Sequence, residues 1–370
     1  MNATDSHNDW TFSDRSLPAA RARVIHWMDL VTLLAWRTTS RSNYYEVTHE
    51  LRTHLHRLLA DFVPAPKSLL NLITRNRALL SGEVAIQYLL RDYSQPPLSL
   101  DIHVGSVYYD TFITALHEDP DIFGFAATSN TAHYPLAFIT VRHVTTTHTL
   151  TLIDGRSIRI HSSSTISASH SMAAALTTAG ITFLTEFCFA TAYARLTLNR
   201  RALVCAERLG FILPGEQDVC NRLTALGFSF AEDPSAWPEY SMERLRARNP
   251  AINGCCRPLF ICPRQGRHFG DRGSLVVFYD TLDVDYRLLK ARAVPPYGIM
   301  AAWRLISLDG CEVQCYEYDD VLEPGIIMGC VTTNHDIFRV VPSIYTQPLP
   351  CSWRCSLRSD MMLRSRSMSF

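Results

Sequence analysis

Three short stretches decide the reading of this chain: Leu79-Leu80-Ser81-Gly82-Glu83, Leu98-Ser99-Leu100-Asp101-Ile102-His103 and Asp154-Gly155-Arg156-Ser157-Ile158-Arg159-Ile160-His161. The first is an apolar run cut by Ser-Gly just ahead of a helical stretch, Glu83 to Leu90. The other two alternate polar and apolar residues with the period of a strand, whose side chains point to opposite faces in turn. That period puts Ser99, Asp101 and His103 on one face of their strand, and Arg159 beside His161 on one face of theirs. Asp154-Gly155 between two alternating runs predicts a two-residue hairpin of type I′, with positive φ at both central residues. Further β-rich runs, Ala137 to Thr145 and Thr147 to Ile153, and a helical stretch from Val107 to His117 complete the expectation. The fold class is α/β (α+β), a mixed sheet flanked by helices.

Outward from this core the pattern changes. Residues 1–17 carry no apolar period and read as a loose leader, followed by a helical cap over 18–75. In the cap, Val24, Trp27, Met28, Val31 and Leu34 recur at helical spacing, as do Tyr44, Val47, Leu51, Leu55, Leu58 and Phe62. Packing on the sheet accounts for the first stripe, Trp27 and Trp36 included. Pro64-Ala65-Pro66 breaks the pattern before a short helix from Ser68 to Thr74. The sheet is expected within 76–165. A loop-rich mixed region follows over 166–350, with a helix after Ser169, an aromatic stretch Phe183 to Thr197 of open type and a helix near Glu216 to Leu226. Short apolar runs at Ser274 to Tyr279 and Gly298 to Leu308 come next, and the Arg/Ser segment 351–370 reads as a mobile tail.

Composition limits the partners. The 370 residues are 47% apolar and 19% charged, which excludes a disordered or low-complexity chain. The 35 basic and 35 acidic residues cancel, so no long-range field draws nucleic acid or anionic lipid. Lys67 and Lys290 are the only lysines, a coding bias before it is phosphate recognition. A polar N-terminus, no long apolar run and 11 scattered cysteines predict a reduced cytoplasmic or nuclear protein with free, mostly buried thiols.

The order of the three opening stretches resembles the nucleotidyltransferase fold related to DNA polymerase beta. It resembles more closely the proteins of mushroom-forming fungi built on that fold, whose pattern runs Ser-Gly-Ser, Asp-Leu-Asp-Ile-Tyr and, later, Ile-Asp-Val-Ile. Ala192 to Leu198 with Arg201-Ala202-Leu203, and Cys262-Pro263 with Arg267, Asp271 and Gly273, extend the similarity over about residues 75–310. In an active member of this fold, the resemblance implies, three strand carboxylates hold two Mg²⁺ ions and a Gly-Ser turn at a helix N-terminus cradles the phosphates. Carried over, the phosphate turn is Ser81 and Gly82. The serine position is Glu83, the first carboxylate position is Ser99, the second is Asp101 and the third is Arg159. One metal ligand of three remains.

Glu83 would face an incoming triphosphate at about 4 kcal/mol of repulsion for unit charges 4 Å apart at a dielectric near 20, while an Asp101–Arg159 ion pair replaces the metal. The expectation is an inactive member with no cofactor, serving as a nucleotide-binding or protein-interaction module away from membranes. One alternative is an active enzyme whose Mg²⁺ is held by Glu83 and Asp101. Another is a regulatory protein that binds partners through the cap or tail and leaves the cleft unused. A rewired transition-metal site of Asp101, His103 and His161 competes with plain hydrogen bonding of the imidazoles.

Other groupings read as structural. Cys255, Cys256, Cys262 and His268 lack zinc-ligand spacing, as do the pairs Cys311/Cys315 and Cys351/Cys355. Asp280, Asp283 and Asp285 lack the glycine and closing glutamate of a calcium loop. Arg264, Arg267, His268 and Arg272 form a local basic cluster, expected as a solvated loop paired with Asp271, or as a phosphate contact if it borders the cleft.

Overall fold

Helix α1 (Ser16–Trp27) and helix α2 (Leu30–Arg37) replace the single helix expected across Val24 to Leu34. The break is chemical: Asp29 is extended and its carboxylate accepts from the Thr32 N–H at 2.9 Å, an N-cap that ends one helix by starting the next. This computed structural model describes residues 16–119, 126–241, 243–244, 259–263, 265–269, 271, 273–279, 301–303, 305 and 328–329. The leader thus lies outside the described residues up to 15, with α1 already begun at Ser16, and the 351–370 tail lies wholly outside them. Helix α3 (Arg41–Ala60) is capped by Ser40 and buries Val47, Leu51, Leu55, Leu58 and Leu59 along one face. Pro66 occupies the first turn of α4 (Pro66–Arg75), where its missing N–H costs nothing. Trp27 corrects the sequence reading: it is 72% exposed and rests its ring edge on His26 and Tyr93 instead of the core.

Strand β1 (Leu79–Ser81) runs directly into α5 (Gly82–Leu90), and β2 (Ser99–Val104) returns antiparallel beside β1. After α6 (Tyr109–Glu118) come β3 (Ala126–His133), α7 (Leu136–Arg142), β4 (Val144–Leu152) and β5 (Ser157–Ser163). The run Ala137 to Thr145 was expected as a strand, but it is mostly α7. One helical turn puts Phe138 and Arg142 on the same buried face, and that packing overrides the β-branched composition. The β4–β5 hairpin sits where Asp154-Gly155 put it, with a different turn. Only Gly155 has positive φ (+86°), its N–H reaches the Leu152 carbonyl, and Asp154 accepts from the Arg156 N–H. Three residues therefore span the loop rather than two.

Beyond 165 the chain adds α8 (Ala168–Ala173), β6 (Thr182–Leu184), β7 (Cys188–Thr191), α9 (Ala194–Leu198) and β8 (Arg201–Leu203). The aromatic stretch thus resolves into a hairpin and a short helix. Then follow α10 (Glu216–Ala225), β9 (Ser229–Ala231), β10 (Arg267–His268), β11 (Leu275–Phe278), β12 (Ala301–Trp303) and β13 (Met328–Gly329). Eight strands make one mixed sheet in the order β11-β7-β6-β1-β2-β5-β4-β3, flanked by helices, in which β2 and β5 are parallel neighbours. The sheet does not stop at residue 165: β6, β7 and β11 extend it through the region expected to pack against it. The far end of β11 is gripped by the cap. Arg37 donates to the Phe278 and Tyr279 carbonyls, and Tyr44 and Thr48 donate to that of Tyr279 at 3.1 Å each.

The basic cluster is not a solvated loop at its described member. Arg267 is completely buried, pairs with Asp271, donates to the Ala192 and Phe260 carbonyls and lies 4.4 Å over the Tyr193 ring. Arg264, Arg272 and the His268 side chain fall outside the described residues, as do Asp280, Asp283, Asp285 and Cys255, Cys256, Cys311, Cys315, Cys351 and Cys355. Cys188, Cys205 and Cys262 are buried free thiols and Cys220 is a half-buried one. Burial pushes the Cys188 thiol up to about 12, where it is inert as a nucleophile.

Candidate functional site

The parallel pairing of β2 with β5 sets Asp101 directly beside Arg159 and His103 beside His161. Asp101 and Arg159 form a buried double contact, with Arg159 Nη2 at 2.9 Å from Asp101 Oδ2 and Nε at 2.7 Å from Oδ1. His161 completes the cluster through Nε2, 3.1 Å from Asp101 Oδ1, while its Nδ1 lies 2.9 Å from Thr147 Oγ1 on β4. Burial by itself opposes ionisation of Asp101. The Arg159 charge and the His161 hydrogen bond outweigh it and hold the carboxyl well below the usual carboxylate range. His103 turns its Nδ1 to Ser171 Oγ on α8 at 2.8 Å, and its ring lies tilted on that of His161, centroids 4.8 Å apart. Burial first, then the neighbouring His161, push the His103 pKa well down, so it is neutral.

Glycine is required on both sides of this ion pair. Gly82 begins α5 with φ +70°, and a Cβ there would stand 1.9 Å from Asp101 Oδ2. Gly215 precedes α10 with φ +75°, and a Cβ there would stand 1.9 Å from Arg159 Nη1, which donates to the Pro214 carbonyl at 2.7 Å. The place against the Ser81-Gly82 turn, expected to cradle phosphate, is taken by the chain's own carboxylate at the positive end of a helix. Gly82→Ala and Gly215→Ala should each cost about 1–2 kcal/mol from the left-handed backbone alone, plus the displacement of a charged group. Chemical denaturation measures both. An effect below half a kcal/mol at either site would show that the ion pair is not packed as described.

Glu83 corrects a second expectation, since it does not face an incoming phosphate. It is completely buried and bound by the Arg222 Nε at 2.6 Å, Gln87 Nε2 at 3.3 Å and the Leu98 and Ser99 N–H groups at 2.9 and 3.3 Å. Ser99 Oγ adds a contact at 3.5 Å. Arg222 belongs to α10, and the same helix sends Glu216 to Arg142 on α7 through two hydrogen bonds of 2.9 and 2.6 Å. Glu216 also accepts from the Leu176 and Leu213 N–H groups. Thus Pro214, Gly215, Glu216 and Arg222 fasten one segment over the sheet at three charged points. What is left beneath is a cavity of about 60 Å³ lined by Ser81, Gly82, Asp101, His103, His161 and Ser171 among others. That volume suits a few waters, where a drug-sized ligand takes several hundred Å³.

The metal readings meet this geometry unfavourably. Asp101, His103 and His161 do come together, but as a hydrogen-bonded cluster around a guanidinium. Among the described residues no group of three His, Cys, Asp or Glu is disposed to hold a metal ion. A divalent cation about 4 Å from Arg159 would meet about 8 kcal/mol of repulsion at a dielectric near 20, twice the unit-charge value. Glu83 and Asp101 are bound by different arginines, and Glu83 does not line the cavity, so they are not a shared ligand pair. The residues present do not fit the Mg²⁺ that the resemblance implies.

Sequence reasoning found Gly82, Asp101, Arg159, His103 and His161 and the Asp101–Arg159 pair. It missed Arg142, Ser171, Gly215, Glu216 and Arg222, the last three contributed by a segment distant in the chain. Pro214-Gly215-Glu216 ahead of a helix was the one available signal, and it marked a helix start without saying what lay beneath. Compared with protein-family models, with curated proteins and with solved structures, the chain matches none.

Proposed function

We propose that this chain is a nucleotidyltransferase-like protein with a catalytically silent cleft, serving as an interaction module in the cytosol or nucleus. The observation that carries the reading is the saturation of Asp101: the one strand carboxylate of the motif is bound by Arg159 and His161 and packed on the Gly82 turn. An enzyme of this class needs that oxygen pair free for metal and the turn free for phosphate. Here both are filled by the chain itself, and the cavity is too small for a nucleoside triphosphate. Of the two roles open to an inactive member, protein interaction therefore fits better than nucleotide binding. Free thiols at Cys188, Cys205, Cys220 and Cys262 suit a reducing compartment. Among the described residues no helix is long and apolar enough to cross a membrane.

The test is a calorimetric and thermal-shift titration with ATP, CTP, GTP and UTP, each with Mg²⁺, with Mn²⁺ and without metal, on the wild type and Asp101→Ala. The expected result is no metal-dependent binding by the wild type. Metal-dependent binding that disappears in Asp101→Ala would overturn the silent-cleft reading and restore the enzyme.

A further inference from the structure

Among the described residues the eight-stranded sheet ends at β3, which pairs with β4 on one side and with no described strand on the other. The opposite end of the sheet is finished differently, because the cap takes the last carbonyls of and after β11. On β3 the Tyr134 N–H reaches the Thr145 carbonyl, so the even-numbered residues face β4 and the backbone N–H and C=O groups of Ser129, Thr131 and His133 point away from it. Residues 128–131 are all exposed, so neither face of this stretch is covered. Protective devices usual on an edge are missing from its middle: Ala126 to His133 holds no proline, lysine, glycine or carboxylate, and the one irregularity lies at its start, between Ala126 and Thr128.

We propose that β3 is a pairing edge for a second copy of this chain, joined antiparallel about a two-fold axis through Thr131. The sequence is complementary to itself in that register. Thr131 faces Thr131, and Ser129 faces His133 of the other copy, so the three outward donor and acceptor pairs are satisfied with no like charges opposed. Two large apolar residues that the fold leaves in water also fall into place. Leu136, 75% exposed, follows the C-terminal end of β3, and Ile153, 78% exposed, follows the β4 residue paired with its N-terminal end. Antiparallel pairing brings the Leu136 end of each copy to the Ile153 end of the other. The result is a closed dimer with a continuous sheet of sixteen strands, twice the eight of one copy.

The experiment is sedimentation equilibrium of the full chain over a concentration series, for the wild type, Thr131→Lys, Thr131→Glu and an equimolar mixture of the two variants. Position 131 lies on the axis, so each variant opposes its own charge. We expect a wild-type dimer, a rise in the dissociation constant of about tenfold or more in each variant alone, and recovery in the mixture, where lysine faces glutamate. Unchanged circular dichroism and a cooperative thermal transition would establish that the variants fold, and Ser129→Lys combined with His133→Lys, which opposes lysine to lysine in the same register, serves if the Thr131 variants do not. A monomeric wild type at all concentrations, or a dimer indifferent to these charges, would overturn the proposal. So would failure of the mixture to recover, because only self-pairing makes the two substitutions compensate.

Discussion

Asp101→Ala is expected to lower the unfolding free energy by about 3–5 kcal/mol, the usual cost of removing one member of a buried ion pair. Arg159 is 4% exposed and would keep the Pro214 carbonyl as its described acceptor, with no carboxylate to balance its charge. His161 loses the acceptor for Nε2 in the same stroke. The Asp101→Leu, Arg159→Met double variant should cost much less than the single variants Asp101→Leu and Arg159→Met summed, since it leaves no buried charge uncompensated. Urea denaturation of the four proteins closes the cycle. Additive effects would mean that the two groups do not act as a pair. The pH dependence has a definite sign: because the Asp101 pKa is lowered on folding, its stabilisation is present above about pH 4, the unfolded value, and fades as pH falls below it.

Well above that range a second loss is expected, from histidines. His54 is buried against the Tyr88 ring, centroids 5.1 Å apart, and burial with the charges of Arg91 and Arg57 lowers its pKa to about 3. His103 is shifted in the same direction. Both are neutral when folded and gain a proton when unfolded below about pH 6.5, so each withdraws stability as pH falls through that value. Between pH 7 and pH 5 His54 should cost about 2 kcal/mol, a large part of the 5–15 kcal/mol typical of a folded protein, and His103 acts in the same direction. His54→Phe keeps an aromatic ring on Tyr88 and removes a buried Nε2 that has no hydrogen-bond partner. It should reduce the slope of stability against pH over this interval, leaving the part carried by His103, His56 and His148, and leave the fold intact at pH 7. An unaltered slope would show that His54 is not the group taking up the proton.

Local pattern told most where the chain is locally consistent. Strand β2 and the helix that begins at the Ser-Gly turn were readable from alternation and composition alone, as were β5 and the face shared by Asp101 and His103. The Asp101–Arg159 pair was expected from the resemblance, which set Arg159 at the third carboxylate position, and the parallel pairing of β2 with β5 places the two side by side. The run 137–145 failed for a stated reason: its β-branched residues favour a strand, yet Arg142 is drawn inward by Glu216 and the Ala174 and Phe211 carbonyls, which sequence does not place. The fastening of α10 over the cleft failed likewise. Helix α10 was visible as a helix, but Glu216 and Arg222 find Arg142 and Glu83 at separations of 74 and 139 residues, beyond any local pattern. Glu83 illustrates the same limit, since its charge was plain and its direction was not.

The grip of Arg37, Tyr44 and Thr48 on the carbonyls of residues 278 and 279 spans 231 to 242 residues of chain. During synthesis the cap helices leave the ribosome early and can form their internal contacts, but this part of their docking surface is made some 230 residues later. At about 5–20 residues per second that is a delay of roughly ten to fifty seconds, in which the carbonyls of residues 278 and 279 are not yet there for Arg37 to meet. These helices are thus made long before the last of their contacts, and a chain stopped short of residue 278 would keep them on α5, through Tyr88 on the Leu51 carbonyl and Arg91 on Glu50, but without their grip on the end of β11.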